Sequence, residues 1–149
     1  MKKFVYVALI LLGAGLLFIS CQKESADKYE TAIIGKWRRT LSEEYKNGII
    51  QSRDTYGRDH YKYEWYIDGK LDYESIEDPV NNYLQFDEDG NVFLISDIRT
   101  RSATYEVKGS TLKMAGDSYE IKKLTKSEFV YYERDSDGHE WWEYFERVE

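Results

Sequence analysis

Residues 83–124 read YLQFDEDGNVFLISDIRTRSATYEVKGSTLKMAGDSYEIKKL, a run of short alternating segments separated by tight turns. Leu84 and Phe86, Tyr105 and Val107, Leu112 and Met114, and Tyr119 and Ile121 each stand two positions apart with polar residues between or beside them. Because successive side chains of a strand point to opposite faces, each pair marks the inward face of a half-buried strand. Asp89-Gly90-Asn91 and Lys108-Gly109-Ser110 fall between these segments, where glycine closes a hairpin. The spacing predicts strands over residues 83–86, 92–98, 103–107, 111–115 and 118–124, joined in chain order.

The same pattern extends in both directions. Toward the C-terminus it predicts strands over residues 128–135 and 140–148, with Asp137-Gly138 as the turn between them. Toward the N-terminus it predicts a strand over residues 36–45, and the Asn47-Gly48 turn leads from it into Ile49 and Ile50. Residues 60–68 alternate, with Tyr61, Tyr63, Trp65 and Ile67 on one face, and Asp68-Gly69 returns the chain through residues 70–74. Asp78-Pro79 interrupts the pattern before the meander begins. Residues 26–34 form the one helical candidate, with Tyr29, Ile33 and Ile34 on a shared face and Gly35 as its stop. The prediction is an all-β chain, an up-and-down antiparallel barrel of about eight strands preceded by a short helix. Closure into a ring is preferred to a sandwich because it leaves no unpaired edge.

Gly35-Lys36-Trp37, directly after the helical candidate, resembles the element with which lipocalins open their first strand. Tyr83-Leu84-Gln85-Phe86 with Asp89-Gly90 and Val92, and Tyr119 with Ile121 and Leu124, are similar to the lipocalin-like (calycin-type) domains of small Bacteroidetes lipoproteins. The resemblance covers most of residues 33–149. It implies that Trp37 plugs the closed end of the barrel and that an arginine of the final strand packs across its ring, with Arg147 the candidate and Arg134 the alternative. Residues 51–82 exceed what that family's early strands require, which leaves additional strands or a lid as roles for them.

The chain starts with Met1-Lys2-Lys3 and an apolar run over residues 4–18, then Ile19, Ser20 and Cys21. This order is that of a secretory signal. As a helix the run measures about 22 Å, short of the ~30 Å hydrocarbon core, so it predicts an exported chain rather than a spanning anchor. Phe18-Ile19-Ser20-Cys21 resembles a lipobox, at which bacterial lipoproteins are acylated on the cysteine, with chains such as palmitate, and cleaved before it. The expected division is a lipoprotein signal peptide over residues 1–20, a lipidated Cys21 with a polar tether to residue 28, and one barrel domain over residues 29–149. A multiply acylated Cys21 stays on its membrane, since each buried methylene contributes about 0.8 kcal/mol. Gln22 stands where an aspartate favours inner-membrane retention in many Gram-negative lipoproteins, and by that resemblance the outer membrane is expected, on its periplasmic face or at the cell surface.

Composition narrows the functions. The formal net charge of −7 repels phosphate backbones and anionic headgroups, so nucleic acid is not an expected partner and attachment to a membrane falls to the lipid. One cysteine permits no intrachain disulfide and no cysteine zinc site. Asp135, Asp137 and His139 alternate like metal ligands and Asp87-x-Asp89-Gly90 begins like a calcium loop, but Ser96 stands where that loop needs its last acidic ligand, and Gly138 turns the chain within the other cluster. Both read as hairpin turns. With two histidines and no nucleophile elbow, neither catalysis, a metal nor a cofactor is expected.

The aromatic surplus carries the functional expectation. Tyr61, Tyr63 and Trp65, with Tyr131, Trp142 and Tyr144, are the candidate ligand-binding residues, because tyrosine and tryptophan present flat apolar surface with a polar edge. At Tyr131-Tyr132 and Trp141-Trp142 one ring of each pair faces away from the other, so both faces of those strands are partly aromatic. Two readings follow. In one, the open end of the barrel binds a small apolar or amphipathic molecule. In the other, a barrel filled by its own side chains contacts an envelope protein or glycan through exposed aromatics.

Overall fold

A computed structural model describes residues 29–148 of the chain, a short helix followed by strands. The expected signal peptide, Cys21, the tether and the first part of the helical candidate lie outside the described residues. Helix α1 covers residues 29–33. The strands are β1 (Gly35–Lys46), β2 (Ile49–Tyr56), β3 (Tyr61–Ile67), β4 (Lys70–Glu77), β5 (Asn82–Phe86), β6 (Asn91–Ser96), β7 (Thr100–Lys108), β8 (Thr111–Met114), β9 (Asp117–Leu124), β10 (Glu128–Arg134) and β11 (His139–Val148). β1 and β5 to β11 close into an eight-stranded antiparallel barrel: each strand from β5 onward pairs with its successor, and β11 pairs back along β1.

Turn chemistry corrects several expected bounds. The strand expected to run to residue 98 stops at Ser96, where the Ser96 amide donates to the Arg99 carbonyl at 2.9 Å and starts β7 at Thr100. β8 ends at Met114 because Ala115 and Gly116 both take positive φ, so β9 begins at Asp117. Such a turn matches the right-handed twist of the strands it joins. β4 continues to Glu77, beyond the expected residue 74.

β1 serves two neighbours in succession. Its first residues pair with β5, from Gly35 opposite Phe86 to Arg38 opposite Tyr83. A register shift follows between Arg39 and Leu41 in the pairing with β11, and from Leu41 onward β1 pairs with β2. At this fork the Arg38 guanidinium donates to the Tyr56 carbonyl at the end of β2 and to Glu146 on β11. Residues 51–82 thereby become additional strands: β2, β3 and β4 form a wing that continues the wall of β10, β11 and β1 past the rim. The wing reintroduces the unpaired edge that closure was expected to remove, since among the described residues β4 pairs with β3 alone. Lys70, Asp72, Glu74 and Glu77 lie exposed along that edge and oppose edge-to-edge pairing.

All the inward pairs expected from the meander pack in or against the core. Ile33, Val92, Phe129, Tyr131 and Phe145 join them. Phe129 lies at the centre of an aromatic column, its ring 5.5 Å from those of Trp37, Tyr131 and Phe145, and 6.1 Å from that of Phe86. Each such pair adds about 0.5–1.5 kcal/mol beyond the area it buries.

Candidate binding site at the open end of the barrel

The two ends of the barrel differ in chemistry. At the closed end Trp37 is wholly buried and its indole N–H donates to the Ile33 carbonyl at 2.7 Å. The Arg147 guanidinium lies 4.3 Å from the centroid of the Trp37 ring and donates to the carbonyls of Ala32 and Ile34. These carbonyls close α1, where no further turn of helix supplies donors. Gly35 has φ +130, which L side chains rarely adopt, and a Cβ there would come 2.5 Å from Arg147 Nη1, so the backbone requires glycine and a larger residue would displace the guanidinium. Arg134 is elsewhere, 3.6 Å from Glu140.

Toward the open end the inner face becomes charged and hollow. A cavity of about 470 Å³ is lined by Arg39, Leu84, Leu94, Phe145 and the β6–β7 turn, and another of about 430 Å³ by Arg39, Leu84, Leu94, Tyr119, Tyr131 and Glu143. Arg39, Leu84 and Leu94 are common to both, so the two adjoin. Arg39 Nε and Glu143 Oε2, both buried, face each other at 3.0 Å as an ion pair without hydrogen-bond alignment. Ser42 donates to the other oxygen of Glu143 at 3.1 Å.

This environment sets the ionisation of the groups around it. Burial, aided by the charge of Asp54, pushes the Glu143 carboxyl above its ordinary value against the opposing effects of Arg39 and Ser42. Burial also raises the Tyr131 hydroxyl, and it raises that of Tyr119 to about 12. Both phenols therefore stay neutral at physiological pH and can donate hydrogen bonds.

The six candidate ligand residues do not come together. Tyr131 lines the second cavity. Trp142 and Tyr144 lie on the outer face, where with Tyr45 and Glu140 they border a separate shallow depression. Trp142 packs on Tyr132, and the Tyr144 hydroxyl donates to Glu43 at 3.2 Å. Tyr61, Tyr63 and Trp65 stand on β3, on the wing face that continues the barrel interior. There the Tyr61 hydroxyl donates to Asp54, the Tyr63 ring lies 6.5 Å from that of Tyr73, and Trp65 is 40% exposed.

Sequence reading missed Arg39, Glu143, Arg99 and Arg101; the same alternation would have found all but Arg99, which lies in the β6–β7 turn. Stepping by two from Trp37 gives Arg39, from Phe145 gives Glu143, and from Tyr105 back through Ala103 gives Arg101, each a charge at an inward position. Register agrees, for Arg101 stands opposite Leu94 and Leu94 opposite Leu84.

The remaining motifs close turns. The Asp87 carboxylate accepts the amides of Asp89 and Asn91, and Asp135 accepts those of Asp137 and His139. His139 stacks on Trp141 with its Nδ1 3.0 Å from Glu44, and His60 lies 2.8 Å from the largely exposed Asp59. No family model, curated protein or solved structure matches the chain.

Proposed function

We propose that this chain is a lipocalin-like lipoprotein, exported and held on the outer membrane by a lipid on Cys21, whose open barrel end binds a small amphipathic molecule. The observation that carries the binding reading is the cavity of about 470 Å³ between Leu84, Leu94 and Phe145, with guanidinium groups among its lining. Ligand pockets typically hold about 300–1,000 Å³ and combine mostly apolar walls with a few placed polar groups. The sequence order of Lys2, Lys3, the apolar run and Cys21 supports the anchor. Native mass spectrometry of the protein from its own host tests the pocket, with a co-purifying small molecule as the expected result. If nothing travels with it and apolar dyes do not bind, the reading fails. Metabolic labelling with a radioactive fatty acid tests the anchor, and Cys21→Ser is expected to abolish incorporation.

A second reading has its own support. The aromatic column fills the closed end, while Trp65 and Tyr73, paired in register, are both exposed on the wing. A glycan or envelope protein stacking there would lose its binding in Trp65→Ala with Tyr73→Ala, and small-molecule binding in the barrel would be unchanged.

A further inference from the structure

The cavity of about 470 Å³ carries a charge opposite in sign to that of the chain as a whole. The chain as a whole has a formal net charge of −7, yet this lining contains Arg39, Arg99 and Arg101 against a single carboxylate, Asp97. Glu143 already balances Arg39. Among the described residues neither the Arg99 nor the Arg101 guanidinium has an ion-pair or hydrogen-bond partner. Asp97 is engaged by the Asn81 amide, which donates to its Oδ2 at 2.8 Å.

The placement of these groups follows from the strands. Arg101 sits on β7 opposite Leu94, in the inward row that descends through Ala103 and Tyr105 to Val107, while Arg99 sits in the tight turn closed by Ser96. Below them the walls are aliphatic and aromatic, formed by Leu84, Leu94 and Phe145. Ile98 in the same turn is 88% exposed, so apolar surface continues up to the rim beside the two arginines. An anion at the rim would be attracted by Arg99 and Arg101, whose positive charges outnumber that of the one neighbouring carboxylate, Asp97, and a tail directed inward would lose its contact with water.

We infer that this cavity takes a single-chain anionic amphiphile, its tail against Leu84, Leu94 and Phe145 and its headgroup between Arg99 and Arg101. The inference rests on the reading of the open end as a ligand site and adds the sign of the ligand's charge and the residues that select it. Lysine in place of each arginine keeps the charge and so keeps the preference, while losing bidentate geometry.

The test is titration calorimetry on the full chain with three twelve-carbon probes: dodecanoate, dodecanol and dodecyltrimethylammonium. The expected result is that dodecanoate binds about tenfold or more tightly than the other two, a difference of about 1.4 kcal/mol, and that added salt narrows the gap. Arg99→Ala with Arg101→Ala, at exposed positions, is expected to weaken dodecanoate binding about tenfold or more, with a smaller change for dodecanol, and so to remove the preference, and the double lysine variant to retain it. Equal binding of dodecanoate and dodecanol overturns the charge selection while leaving the open end as a pocket. An anion preference that survives the double alanine variant overturns the assignment to these arginines. If none of the three probes binds, the ligand-site reading itself fails and this inference with it.

Discussion

The Arg147 guanidinium lies over the Trp37 ring, 4.3 Å from its centroid, and in the same position donates to the carbonyls of Ala32 and Ile34. One side chain thus joins the last barrel strand, the buried indole and the end of α1. Arg147→Ala is expected to lower unfolding free energy by about 1–2 kcal/mol in urea titrations, from loss of the cation–π contact and of donors to the helix carbonyls. Trp37→Ala, which empties the centre of the floor, is expected to cost about 3–5 kcal/mol.

Gly35→Ala places a Cβ against that arginine at a φ of +130. The expected loss is about 1–3 kcal/mol, partly backbone strain and partly displacement of the guanidinium. A double-mutant cycle separates the two: in the Arg147→Ala background the cost of Gly35→Ala falls to the strain alone.

Glu143 sets an expected pH dependence. Its carboxyl is held above its ordinary value of 4.5, so the folded state binds more protons than the unfolded state as pH rises from 4.5 through the folded value. The stability linked to this group is therefore greatest at low pH and declines over that window. Denaturant midpoints measured across it are expected to fall with pH in the wild type by a component that Glu143→Gln lacks. Equal slopes in the two proteins would remove Glu143 as the source.

On the outer face of β1, beside the wing, Glu43 is 7% exposed and receives Arg53 at 2.8 Å and the Tyr144 hydroxyl at 3.2 Å. Glu43→Ala leaves both donors without their acceptor, a loss of about 1–2 kcal/mol. Hydrogen exchange should report it locally: amides of β2 to β4 lose protection, while those of β5 to β9 keep theirs, because among the described residues the wing pairs with the barrel through β1 alone. Uniform loss of protection would show that wing and barrel unfold as one unit.

Sequence alone determined the local structure. Alternation with period two set the strands and most inward residues, and the turns at Asn47-Gly48, Asp68-Gly69 and Gly90 fell where the chain reverses, because pleat and positive φ are properties of single residues and their neighbours. Tertiary structure alone decided which face of Trp141-Trp142 points inward, since alternation defines two faces and both were aromatic. It decided that β1 leaves β5 for β2 after Arg38, because a strand's partner depends on a bulge and on segments far away in the chain. It also decided that Arg39 and Glu143 face inward together: burying either charge is costly, and the residue that compensates each lies at the opposite end of the barrel's chain.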